Sequence, residues 1–173
     1  MRAEMKSCRR LANALMGMLL VAIGTTNAIA ADLSVDQVRA KLKNASPSMP
    51  ADFAGQDLSD LDLSGLDFRK ANLRGVSLFG SKLVQADFRD ATLEGANLNG
   101  AWLMGTDFTG ANLSRASLLS VVVLGGAVKK MPIFKGANMA GVKMIADLPG
   151  ADLSGADLSR AMAGVNIKNQ GMG

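Results

Sequence analysis

Carboxylates and thioethers are the side chains of this sequence that could do chemistry. Asp recurs at five-residue intervals, at Asp52, Asp57, Asp62 and Asp67 and again at Asp87 and Asp107, while Met131, Met139, Met144 and Met162 crowd the second half. Paired carboxylates can act as acid and base or hold a cation, and thioethers are soft ligands for copper. The chain has no His and no Tyr, and its one cysteine is Cys8. An imidazole base, a thiol nucleophile and nitrogen or thiolate metal ligands are therefore missing from the body of the chain. Whether the carboxylates can act together depends on what carries them.

What carries them is a repeat. Leu or Phe stands at Phe53, Leu58, Leu63, Phe68, Leu73, Leu78, Leu83, Phe88, Leu93, Leu98, Leu103, Phe108, Leu113 and Leu118. Two residues before most of these sits a small one, among them Ala71, Ala86, Ala91, Ala96, Ala101, Ala111 and Ala116. Asp or Asn falls between in most units, and Gly often closes the unit. A period of five fits neither a helix of 3.6 residues per turn nor a strand of period two. The chain must turn a corner in every unit, and one unit can bury its apolar side only against its neighbours.

The stretches Ala71-Asn72-Leu73-Arg74-Gly75, Ala96-Asn97-Leu98-Asn99-Gly100 and Ala151-Asp152-Leu153-Ser154-Gly155 resemble the pentapeptide-repeat family, whose units read A-(D/N)-L-x-x. The resemblance covers about two thirds of the chain. It implies an all-β solenoid, a right-handed quadrilateral β-helix with one pentapeptide per side and four per coil. The central Leu or Phe and the small residue two before it would point inward. On that fold Asp52, Asp57, Asp62 and Asp67 fall on successive sides and cannot converge. Asp67, Asp87 and Asp107 stack, but Arg69 and Arg89 stand beside them, so these carboxylates are expected in turns. Met131, Met139 and Met144 take inward or near-inward positions, where Met fills core. No catalytic residue, metal ligand or cofactor is expected, and the protein is read as not an enzyme.

Residues 1–30 read as a secretory signal peptide. Arg2, Lys6, Arg9 and Arg10 precede an apolar run from Leu11 to Ile23, and Ala28-Ile29-Ala30 is a small-x-small signal for cleavage before Ala31. The run is shorter than the roughly 20 residues that span a bilayer. Removing it takes away four of 19 basic and one of 15 acidic residues, which leaves 15 against 14. The near-neutral remainder gives no case for nucleic-acid binding, and it carries no cysteine. The expected location is outside the cytoplasm, in a bacterial periplasm or secreted.

Residues 31–50 read as a capping helix and linker. Ser34 and Gln37 form a capping box, Leu33 and Val38 a hydrophobic staple, and Val35, Val38 and Leu42 one apolar stripe that Pro47 and Pro50 end. A solenoid must cover its terminal layer, so this helix is expected to close the N-terminal end of the tube. Leu61 and Leu66, bulky at inward positions that later hold Ala86 and Ala101, agree with contact to a lid. The β-helix is expected over 51–163, with register slips near 134–147 where Ala137-Asn138-Met139 lies one residue late, and a C-terminal tail over 164–173.

If one coil is twenty residues, positions twenty apart stack at about 4.8 Å. Phe68, Phe88 and Phe108 then form an inward aromatic ladder. One outer side becomes apolar: Val84, Trp102, Met104, Val122 and Leu124, bordered by Phe79 and Leu119. An extended exposed apolar surface marks an interface, and Trp is enriched at binding hot spots. Leu119 to Gly126 leaving the coil and folding over this side is the rival reading. The expected function is that of an exported, non-catalytic scaffold whose apolar side serves protein–protein interaction or self-association. Membrane contact has no specific support, and a small-molecule ligand is not expected. The alternative, a DNA-mimicking gyrase-binding protein of the quinolone-resistance type, is opposed by the neutral charge and the export signal.

Overall fold

The computed structural model describes residues 31–123, 130–146, 148 and 150–164. Residues 1–30, including Ala28 and Ala30 of the cleavage signal, lie outside the described residues, as do 165–173 of the tail. Among the described residues no helix is long and apolar enough to cross a membrane.

Helix α1 (Val35–Lys43) starts at Ser34. The Gln37 N–H donates to Ser34 Oγ at 3.3 Å and the Ser34 N–H to Gln37 Oε1 at 2.7 Å, which satisfies two donors that a helix start leaves open. Val38 is fully buried, and Leu33 and Leu42 pack on the same core as Leu61 and Leu66 of the first coil. Lys41 Nζ donates to Gln56 Oε1 at 3.4 Å and stands 5.0 Å from the centre of the Phe53 ring. Asp32 binds the backbone of the first coil. Its N–H donates to the Asp57 carbonyl, its Oδ2 accepts the Asp57 N–H, both at 2.7 Å, and so a backbone edge of the first coil is paired.

From Ala51 each unit makes one side of a tube. In most units the small residue and the Leu or Phe are buried, the residue between them pairs with neighbouring coils, and the last two residues turn the corner. Parallel pairing runs Asp52↔Asn72↔Thr92↔Asn112 and Asp57↔Ser77↔Asn97↔Ser117, so twenty residues and four sides make a coil. The Phe53 N–H donates to the Asn72 carbonyl and the Asn72 N–H to the Ala51 carbonyl, at 2.8 and 2.9 Å, a ladder that leaves no strand long enough to be flat. Strands of two or three residues, β1 (Ser117–Leu119), β2 (Lys143–Ile145) and β3 (Met162–Ala163), form one parallel sheet late in the chain.

The core is a column of aromatic rings flanked by leucines. Phe68 and Phe88 stack at 4.7 Å and 1°, and Phe88 and Phe108 at 5.2 Å and 18°. The ladder is longer than its three expected members, because Phe134 stacks on Phe108 at 5.2 Å and Phe53 meets Phe68 edge-on at 5.7 Å.

The coil step is not constant. Trp102 pairs with Val122, twenty residues on, but Asp107 pairs with Ile133 and Asn112 with Asn138, a step of twenty-six. Six additional residues therefore lie between Val123 and the return of the chain at Lys130, whose carbonyl accepts the Gly105 N–H at 2.7 Å. This departure precedes the 134–147 interval. The next step is nineteen, Ile133↔Asp152 and Asn138↔Asp157, so one residue is missing after Ile145. Leu119 to Val123 stay in the coil, and Leu124 to Gly126 lie outside the described residues.

Corners need positive φ, which glycine adopts without strain. Gln85 has φ 57°, while Gly65 and Gly105, one coil to either side, have 68° and 69°. Gln85→Gly is expected to stabilise the fold by roughly 0.5–1 kcal/mol, the left-handed strain removed less the backbone freedom that glycine adds to the unfolded chain. A higher urea midpoint at unchanged slope checks it.

Candidate interaction face

The carboxylates are turn residues. In unit after unit the Asp or Asn Oδ1 accepts the N–H two residues on, as Asp57 does from Ser59 at 2.9 Å and Asp107 from Thr109 at 2.8 Å. Such side-chain turns hold the corner geometry locally. Arg69 grips Asp67 through Nε and Nη2 at 2.9 and 2.6 Å, and Arg89 grips Asp87 in the same way. Arg89 Nε also lies 3.8 Å from Asp107. Among the described residues no group of three or more acidic, His or Cys side chains could hold a metal. Met139 and Met144 are buried in the core, Met131 is half-buried against it, and Met162 is exposed.

The Arg69 hydrogen bonds hold the Asp67 carboxyl below its ordinary value. At Asp87 burial pushes upward, but the hydrogen bonds and charge of Arg89 outweigh it and the carboxyl is also lowered. A carboxyl lowered on folding contributes stability above its unfolded value, near pH 4, and loses it as pH falls through the lower folded value. The melting temperature is expected to decline below about pH 4, and Arg89→Met to flatten that decline. Melting curves from pH 6 to pH 2 measure both slopes.

A cleft of about 420 Å³ opens between the turn after α1 and this charged side, lined by Leu42, Pro47, Asp67, Arg69, Lys70 and Arg89 among others. Its arginines are already paired with carboxylates.

The apolar side is partly changed from the sequence map. Trp102 lies between Lys82 and Val122 in one bridged column, with its N–H on the Ser81 carbonyl and its carbonyl taking the Leu83 N–H, at 3.0 and 2.9 Å. The backbone is fixed and the indole stands 40% exposed. Phe79, on the adjoining side one coil earlier, is 50% exposed. Val84, Leu119 and Val122 are half-buried. Met104 is buried at 3% and offers nothing to a partner. It precedes Gly105, whose N–H donates to the Lys130 carbonyl at 2.7 Å. Leu124 lies outside the described residues.

Two exposed residues escape the sequence map. Ile145, 62% exposed, stacks over Leu119, and Met162, 68% exposed, pairs with Lys143. Both extend the Phe79–Leu119 side toward the end of the tube. Their alignment requires the twenty-six and nineteen residue steps.

Five-residue sides, four to a coil, joined by parallel ladders around a Leu/Phe core define a quadrilateral β-helix solenoid. The family model described as Pentapeptide repeats matches in eight copies, over residues 51–75, 71–110 and 146–163. The chain belongs to the pentapeptide-repeat family. The solved structure of Rfr23, a pentapeptide repeat protein from the cyanobacterium Cyanothece 51142, is 18% identical, covers 78% of this chain and 97% of its own, and has a TM-score of 0.54. A pentapeptide repeat protein from the Arabidopsis thaliana thylakoid lumen is 26% identical over 76% of this chain and 79% of its own, with a TM-score of 0.42. QnrB1, a plasmid-mediated fluoroquinolone resistance protein, is 20% identical over 69% and 71%, with a TM-score of 0.26. No curated protein sequence matches the chain significantly.

Proposed function

We propose that this protein is an exported, non-catalytic scaffold: a right-handed β-helix closed at its N-terminal end by α1 and presenting the side around Trp102 and Phe79 to a protein partner. The exposure of the indole on a backbone fixed from both sides is the observation that carries this reading. A large, rigid apolar group needs little ordering on binding, which suits it to a hot spot. The basic start, apolar run and Ala28-Ile29-Ala30 support export. Mixed charge speaks against DNA mimicry, since Asp67 and Asp87 are matched by Arg69 and Arg89, and Glu94 by Arg74 and Arg115.

A photoreactive residue at position 102 in intact cells is expected to capture a partner, and one at Thr109, on another side, is not. Trp102→Ser with Phe79→Ser should abolish the capture from a third photoreactive position, 84, at unchanged melting temperature. Equal labelling from 102 and 109 would remove the reading. N-terminal sequencing of the protein recovered outside the cytoplasm should begin at Ala31.

A further inference from the structure

We infer that the side bearing Phe79 and Leu119 pairs with the same side of a second copy of this chain, the two tubes running antiparallel, with Lys143 of each copy against Asp57 of the other. This rests on the reading of the Phe79 side as an association surface and names its occupant.

Charge is distributed along this side in a self-complementary way. One bridged column runs Asp57, Ser77, Asn97, Ser117, Lys143. Three consecutive coils, 77–80, 97–100 and 117–120, carry no formal charge on it, while the coil before holds Asp57 and Asp60 and the coil after holds Lys143. Lys143 is exposed and has no ion pair among the described residues. Asp57 uses Oδ1 for the Ser59 N–H, and its Oδ2 takes no bond among the described residues.

A two-fold axis along the strand direction, through the coil of Asn97 and Asn99, brings each coil against the one equally far on the other side. Phe79 then meets Leu119, Ser77 meets Ser117, and Asp57 meets Lys143 at both ends, about 10 Å from the axis. The parallel arrangement would set Lys143 on Lys143 and Asp57 on Asp57, like charge on like. At the axis lie two amides with capacity to spare. Asn97 Oδ1 accepts the Asn99 N–H, and Asn99 Oδ1 accepts from Ser117 Oγ and the Leu119 N–H, which leaves both amide N–H₂ groups without an acceptor among the described residues. A self-complementary surface is what a closed two-fold dimer requires. The strip covers roughly 300 Å² per copy, below the roughly 800 Å² of a standard interface, so the dimer is weak and reversible.

Sedimentation velocity should show concentration-dependent dimerisation that weakens with salt. Lys143→Glu should weaken it at least tenfold, and adding Asp57→Lys should restore it. In a Cys8→Ser background, Asn97→Cys, next to its own copy at the axis, should form a disulfide dimer under mild oxidation, whereas Ser77→Cys, displaced by a coil in opposite directions, should not. Equal linking by both, linking by neither, or no effect of Lys143→Glu overturns the pairing. Where Asn97→Cys lowers the melting temperature, the charge exchange decides. Capture of a different protein from position 102 with no homodimer ends this inference and leaves the scaffold reading standing; no capture and no dimer ends both.

Discussion

Phe88→Ala is expected to cost roughly 3–5 kcal/mol, a large part of what a small domain has. The Phe88 ring is fully buried between Phe68 at 4.7 Å and Phe108 at 5.2 Å. Its removal takes away the transfer energy and leaves a hole that rigid neighbours cannot close, because their backbones are tied in ladders above and below. In a solenoid, coils are stabilised mainly through their neighbours, so a gap in the middle coil also uncouples the two ends. Urea unfolding followed by the fluorescence of Trp102, the only tryptophan, reads the effect, and a broadened transition would report the uncoupling. Phe88→Leu should cost much less, since leucine already fills the other inward columns. A loss under 1 kcal/mol for the alanine variant would mean that the ladder is not continuous.

Val38→Asp should be comparably severe, roughly 3–5 kcal/mol. Val38 has no exposed surface, and the nearest cation in sequence on its face, Lys41, is committed to Gln56 and the Phe53 ring. A carboxylate there must leave the core or stay uncharged, and either lifts α1 from the first coil. Leu61 and Leu66 and the edge that Asp32 covers would then face water. The expected signs are early proteolysis within 31–50 and growth of large oligomers through the bared edge. Val38→Ala, which loses two methyl groups and adds no charge, should keep the protein monomer–dimer and cost roughly 1–2 kcal/mol. If Val38→Asp melts like the parent, the helix is not a lid.

The repeat was legible because burial writes itself into every unit. A side of five residues offers two inward places, so Leu or Phe and a small residue must recur at fixed spacing. The acidic residues could be set aside as turn formers for the same reason, since residues five apart look out of different sides. The Ser34–Gln37 pair is local chemistry that needs no knowledge of the fold.

Met104, placed on the surface by the repeat, is buried, and the stacking of Ile145, Met162 and Phe134 was not legible, for the following reason. An offset read from a five-residue repeat is known only modulo five. Ala137-Asn138-Met139 arriving one residue late and arriving six late leave the same pattern, and they put different residues on top of one another. Only the stacking of coils distinguishes them, because the ladders pair residues nineteen to twenty-six apart. The sequence by itself determined which side chains go inside and how often the chain turns, since both depend on neighbours within a unit. Which outward residues share a side was decided by the tertiary structure, since that depends on how many residues each coil takes, twenty, twenty-six or nineteen.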